Sequence, residues 1–211
     1  MPGSSPKIIC SFWLFFSILA TFASYTNAIK TLEEQKQESI SGRNKREPLF
    51  HIYYAFLRKT RLYFESEQPD KGMSEYEAWL NYVIKHYKSE NTKKRVLDLE
   101  NYYKAYAAYL NNNLKEAIKY LNAYEVIQST DASKNLRAKI YNAQNKYNDA
   151  VKLLEQTNIN DSYNKYWLAV NLIKVRNTTK AKSLKLKILA LNDRNNINLA
   201  LVRNRAKAIK L

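Results

Sequence analysis

"LKEAIKYLNAYE" starts at Leu114, and "YNDAVKLLEQTN" starts thirty-three residues later at Tyr147. Both carry Ala at the fourth position, a β-branched residue at the fifth and Leu at the eighth. Setting Ala117 on Ala150 also brings Ala105 onto Ala138 and the turn Asn111–Leu114 onto Gln144–Tyr147. A further step of thirty-one residues adds Ala169 and Ala181. Three alanine pairs, 105/117, 138/150 and 169/181, therefore stand twelve apart, each around a polar break containing Asn111-Asn112-Asn113, Asn145 or Asn177. Asn tolerates the left-handed backbone that ends a helix where Gly is missing. Small residues at those points let two antiparallel helices approach closely. Longer ones beside them (Ile118, Leu121, Val151, Leu154, Leu184, Ile188) fill the space between pairs. One hairpin cannot bury its own apolar face, so hairpins must stack.

Composition agrees. No Gly, Pro or Cys follows Gly72, whereas a β-rich chain needs Gly and Pro at its turns and helices lose stability from both. The fold class expected is all-α.

Residues 97–190 resemble the tetratricopeptide repeat (TPR), whose helix–turn–helix unit has a small residue within the first helix and an Ala early in the second. "LRAKIYNAQNKYNDAVKLLE" (Leu136–Glu155) carries the likeness most clearly, with Ala138, Tyr141, Tyr147 and Ala150 at the matching places. The aromatic early in the first helix is replaced by Asn101, Lys134 and Lys165, and the closing Pro is missing. The resemblance implies a solenoid of TPR-like hairpins coiled into a right-handed superhelix. Peptides bound by such proteins lie on the concave face formed by the first helices. On this chain that face would carry Tyr102, Tyr106 and Tyr109, then Asn135, Lys139 and Asn142, then Tyr166, Val170 and Ile173. Tyr offers contact area at low entropy cost, Asn can bond a peptide backbone and Lys139 can take a carboxylate.

Five segments follow. Residues 1–28 have the plan of a signal peptide: Lys7, an apolar run from Ile8, then small and polar residues ending at Ala28, with an uncleaved signal anchor as the alternative. The chain is accordingly expected to be secreted or periplasmic, or else anchored by one membrane pass. Residues 29–47 are polar and read as a flexible linker. Residues 48–92 hold N-terminal helices, a divergent unit or a cap, with Ser74 and Glu77 in a capping-box pattern. Residues 93–190 hold about three hairpins, the first entered by one helix from Lys93 to Leu110. Residues 191–211 hold a solvent-facing capping helix with the stripe Ile197, Leu201, Ala208 and Leu211.

Charge adds a second candidate surface. Lys and Arg number 35 against 19 Asp and Glu, a net +16, and residues 160–211 alone carry 12 basic and 2 acidic residues. Lys174, Arg176, Lys180, Lys182, Lys185 and Lys187 crowd one stretch without an acid. Such a patch suits an anionic polymer, lipid or acidic protein. Nucleic acid is not the usual partner of an exported chain.

Chemistry of other kinds finds no foothold. Cys10, the only cysteine, sits in the apolar leader, and His51 and His86 have no ligand spacing around them. There is no phosphate loop, nucleophile elbow or metal motif, so neither catalysis nor a cofactor is expected. The reading is a protein- or peptide-binding scaffold, with anionic polymer or lipid binding through the basic C-terminal helices as the alternative.

Overall fold

The computed structural model describes residues 26–27, 29–38, 48–158, 161–191 and 197–210. Among these, every regular element is a helix, as expected from the sequence. The signal segment lies almost wholly outside the described residues. No described helix is long and apolar enough to cross a membrane.

Residues 29–38 form α1. Then come α2 (Pro48–Glu65), α3 (Pro69–His86), α4 (Glu90–Asp98), α5 (Glu100–Leu110), α6 (Leu114–Ile127), α7 (Asp131–Ala143), α8 (Tyr147–Leu154), α9 (Ser162–Lys174), α10 (Thr178–Ala190) and α11 (Ile197–Lys207). Helices α5/α6, α7/α8 and α9/α10 pack as three antiparallel hairpins, each touching the next.

Their turns are one device repeated. Asn112, Asn145 and Arg176 have φ of 58°, 61° and 63°. After each, the next backbone N–H reaches back five residues: Asn113 to Ala108, Lys146 to Tyr141, and Asn177 to Leu172, all at 2.8 Å. These bonds satisfy carbonyls that the helix end would leave orphaned. Asn was expected to take the left-handed position. In the third turn Arg176 takes it, and the Asn177 side chain instead caps α10 by accepting from Lys180 N–H. Ala105, Ala117, Ala138, Ala150, Ala169 and Ala181 are all fully buried, as close helix contact demands.

The same turn occurs a fourth time. Glu67 has φ of 62°, and Gln68 N–H bonds to Tyr63 O at 2.9 Å. Counting from Glu67 as from Asn112, the small-residue positions fall on Thr60 and Gly72, also twelve apart and both buried. A Cβ on Gly72 would stand 2.7 Å from Cε2 of Phe64, so this pair packs more closely than an alanine would permit. Residues 48–92 thus contain a divergent hairpin, α2/α3, followed by the inserted helix α4.

Several sequence expectations are corrected. Residues 29–38 are not linker. Polar as it is, α1 buries Leu32 and ties itself down by charge, Lys59 Nζ lying 2.5 Å from Glu33 and 2.8 Å from Glu75, with Lys36 also paired to Glu75 at 3.7 Å. Ser74 caps nothing, because α3 already begins at Pro69, where proline's fixed φ suits the first turn. The single helix from Lys93 is broken at Leu99, which ends α4 and precedes α5. Finally, α11 does not merely face solvent. Among its described side chains Val202 and Ala206 are buried, while Ala208, just past its end, is exposed; Ile197, Leu201 and Leu211 of the expected stripe lie outside the described side chains.

That last correction decides the shape. Val202 and Ala206 share an apolar cluster with Leu32 of α1, Leu62 of α2, Tyr163 of α9 and Ile188 of α10. Arg205 donates from Nη2 to Glu65 O at 2.8 Å and pairs with Glu67 at 3.6 Å. The two ends of the described chain therefore meet. The expected open trough is closed by α2.

Candidate functional site

The first helices α2, α5, α7 and α9 face one another across a cavity of about 270 Å³. Helix α2 contributes Leu57, Arg61, Phe64 and Glu65, α5 contributes Tyr102, Tyr103 and Tyr106, and α7 contributes Asn135 and Lys139. Tyr163 and Asn164 enter from α9, Tyr124 from α6, and Asp131 and Asp161 from the N-terminal ends of α7 and α9. Leu57, Arg61 and Phe64 sit at the i, i+4, i+7 spacing of Tyr102, Tyr106 and Tyr109, forty-five residues earlier. They are the inner face of the divergent hairpin.

Aromatic stacking sets one wall. Phe64 lies between Tyr103 and Tyr106, with ring centroids at 5.1 and 5.2 Å. Tyr102 leans on Tyr124 at 5.4 Å. Burial raises the phenol pKa values of Tyr102, Tyr103 and Tyr106, so these hydroxyls stay protonated at neutral pH.

Lys139 is the unusual member. Its side chain is buried, with Nζ donating to the Tyr106 hydroxyl at 2.6 Å. The ammonium lies 4.4 Å from the Tyr106 ring centroid, 5.5 Å from Trp167 and 5.6 Å from Tyr163. No carboxylate pairs with it among the described residues. Desolvation dominates its titration: it lowers the pKa to about 7, against an opposing pull from Glu65, while Arg205 and Arg61 push the same way as burial. The pull of Glu65 and cation–π attraction to three rings both favour its charged form. Glu65, equally buried, accepts from Arg61 Nε at 2.7 Å through one oxygen, and its other oxygen accepts no hydrogen bond.

Amides join the last two first helices. Asn135 Nδ2 donates to Asn164 Oδ1 and Asn142 Nδ2 to Asn171 Oδ1, each at 2.9 Å. The donors are seven residues apart, and so are the acceptors, which places both bonds on one face of each helix two turns apart. Asp161 is held by capping α9, accepting from Tyr163 and Asn164 N–H. Asp131 accepts from Asn158 N–H.

Of the residues expected on a peptide groove, the structure brings Tyr102, Tyr106, Asn135 and Lys139 together around the cavity. Tyr106, Asn135 and Lys139 are buried rather than open to a passing chain. Tyr109, Asn142, Tyr166 and Val170 lie outside the cavity and remain half-buried. Tyr109 packs against Tyr106 at 6.2 Å, Asn142 is engaged with Asn171, and Tyr166 meets Trp167 edge-on at 5.6 Å. Arg61, Glu65, Tyr163 and Asn164 were missed from the sequence. The Thr60–Gly72 spacing was the signal that would have placed Arg61 on the inner face.

The basic residues hold together as a surface. Lys174, Arg176, Lys180, Lys182 and Lys187 are exposed on the α9–α10 turn and on α10. Lys180 pairs with Glu155, and Lys185 turns inward to donate to Ile209 O at 2.8 Å. The described residues contain no cluster of His, Cys, Asp and Glu able to hold a metal ion. Comparison with known proteins returns no matching family model, no similar curated protein and no similar solved structure.

Proposed function

We propose that this chain is an exported, non-enzymatic scaffold that binds a protein or peptide, its hairpins stacked as a TPR-like right-handed superhelix. The observation that supports this reading is the convergence of four first helices on one cavity walled by tyrosines, amides and a caged lysine. At about 270 Å³ the cavity falls just below the range of roughly 300–1,000 Å³ typical of sites for drug-sized ligands. It suits one or two side chains of a partner rather than a chain running through. Tyr109, Asn142, Tyr166 and Val170 supply the flanking contacts. A photoreactive amino acid in place of Tyr109 tests this: cross-links to a defined partner peptide are expected. Labelling no stronger than from the same amino acid at exposed Lys115 would refute it.

A second reading has its own observation. Lys182 and Lys187 are exposed beside Leu186, which is also exposed, on a helix with no acid. That combination suits an anionic polymer or lipid surface. Salt separates the two, since binding to a polyanion weakens steeply with ionic strength while aromatic and amide contacts do so little.

A further inference from the structure

On the far side of the first hairpin, α3 and the inserted α4 leave a groove of about 320 Å³ lined by Leu80, Ile84 and Leu97 and by Glu90, Asn91, Lys93 and Lys94. Ile84 is 52% exposed and Leu97 51% exposed. The other exposed large apolar residues among those described are Tyr54 on α2, Val126 and Ile127 at the end of α6 and Leu186 on α10. The surround is mainly basic: residues 80–98 hold Lys85, Lys88, Lys93, Lys94 and Arg95 against Glu90 and Asp98. Glu90 is spent on Lys93 at 2.8 Å, and Lys85, Lys88 and Lys94 are exposed without a carboxylate partner among the described residues. Helix α4 is held by the buried Val96, whose carbonyl accepts from the Tyr76 hydroxyl at 2.9 Å, and its start by Ser89 accepting from Thr92 N–H.

We propose that this groove docks an acidic amphipathic helix of a partner protein. Two apolar side chains about one turn apart would sit on Ile84 and Leu97, and flanking carboxylates would meet Lys85, Lys88 and Lys94. This is the helix-in-groove mode, in which apolar anchors supply affinity and rim charges supply orientation and rate. The surface is separate from the cavity and stands or falls independently of it.

Fluorescence anisotropy on the full chain tests the proposal with three labelled synthetic helical peptides. The first has two leucines four residues apart flanked by glutamates, the second has lysines replacing the glutamates, and the third has serines replacing the leucines. Saturable binding of the first is expected, at least tenfold weaker binding of the other two, and a further loss as salt rises. The double variant Ile84→Ser/Leu97→Ser should lose at least tenfold with an unchanged circular dichroism spectrum, both side chains being half exposed, and Lys94→Glu should weaken the glutamate peptide. Tyr109→Ala/Tyr166→Ala should leave this binding as it is. No binding of the first peptide, equal binding of the lysine peptide, full affinity in the double serine variant, or loss in the tyrosine variant would each overturn it.

Discussion

Replacing Lys139 by Met should stabilise the protein at neutral pH. The lysine's pKa falls from the ordinary 10.5 to about 7 on folding. Each tenfold change in proton affinity is worth about 1.4 kcal/mol, so keeping the charged form costs the folded state roughly 4–5 kcal/mol. Attraction to three rings offsets about 2 kcal/mol of this, and the hydrogen bond to Tyr106, lost with the amine, about 1 more. A net gain of about 2 kcal/mol remains, within the range of roughly 1–4 kcal/mol found when buried charge gives way to packed apolar groups. For a chain of 211 residues this raises Tm by about 4–8 °C. The sign of the pH dependence follows from the same numbers. Between pH 7 and 10.5 the unfolded chain holds a proton that the folded chain has lost, so wild-type stability rises with pH across this window and is flat below it. The variant lacks that rise, so its advantage is full at pH 6 and gone by about pH 9. Urea unfolding followed by circular dichroism at those two values measures it. A variant less stable than wild type at pH 6, or a difference that does not change with pH, would refute the reasoning.

Three other outcomes are expected. Ala150→Glu should abolish cooperative melting, because a carboxylate there would enter a fully buried helix contact without a partner, as a thermal scan would show. Removing Tyr102, Tyr106 and Tyr109 together, harmless if they only faced a groove, should unfold the chain. Tyr106 is buried and Phe64 stacks on it, so loss of the near-ultraviolet dichroism is the readout. Arg205→Ala should lower Tm by a few degrees and speed thermolysin cleavage within α11, since it removes the bond to Glu65 O and the pair with Glu67 that tie the two ends.

Much of this was legible where local chemistry repeats. Alanines twelve apart with Asn between them give away three hairpins, because close contact admits only small side chains and the left-handed turn favours Asn. The first hairpin escaped notice because its contacts use Thr60 and Gly72 and its turn uses Glu67, residues that meet the same steric demands without looking alike. Helix α1 was hidden for a different reason. Its composition is that of a solvated segment, and only the partners Lys59 and Glu75, far along the chain, make its charges structural. Tyr102, Tyr106, Asn135 and Lys139, spaced as one stripe in the sequence, all line the cavity, but its closure was not legible. That depends on how far the stack curves, which no local pattern of residues encodes. Tyr163 and Asn164 face the cavity in place of Tyr166 and Val170 for the same reason.

The claim beneath all of this is that four pairs of small side chains set the distance between paired helices. Leucine placed singly at Thr60, Ala105, Ala138 and Ala169 tests it by thermal melting, with leucine at exposed Ala143 and Ala190 as reference. Overpacking of about 1–3 kcal/mol should lower Tm by roughly 2–12 °C at all four buried positions and leave the two exposed ones within a degree or two. A Thr60→Leu protein that melts with the wild type would remove the fourth hairpin from the account, and four unaltered melting curves would remove the account itself.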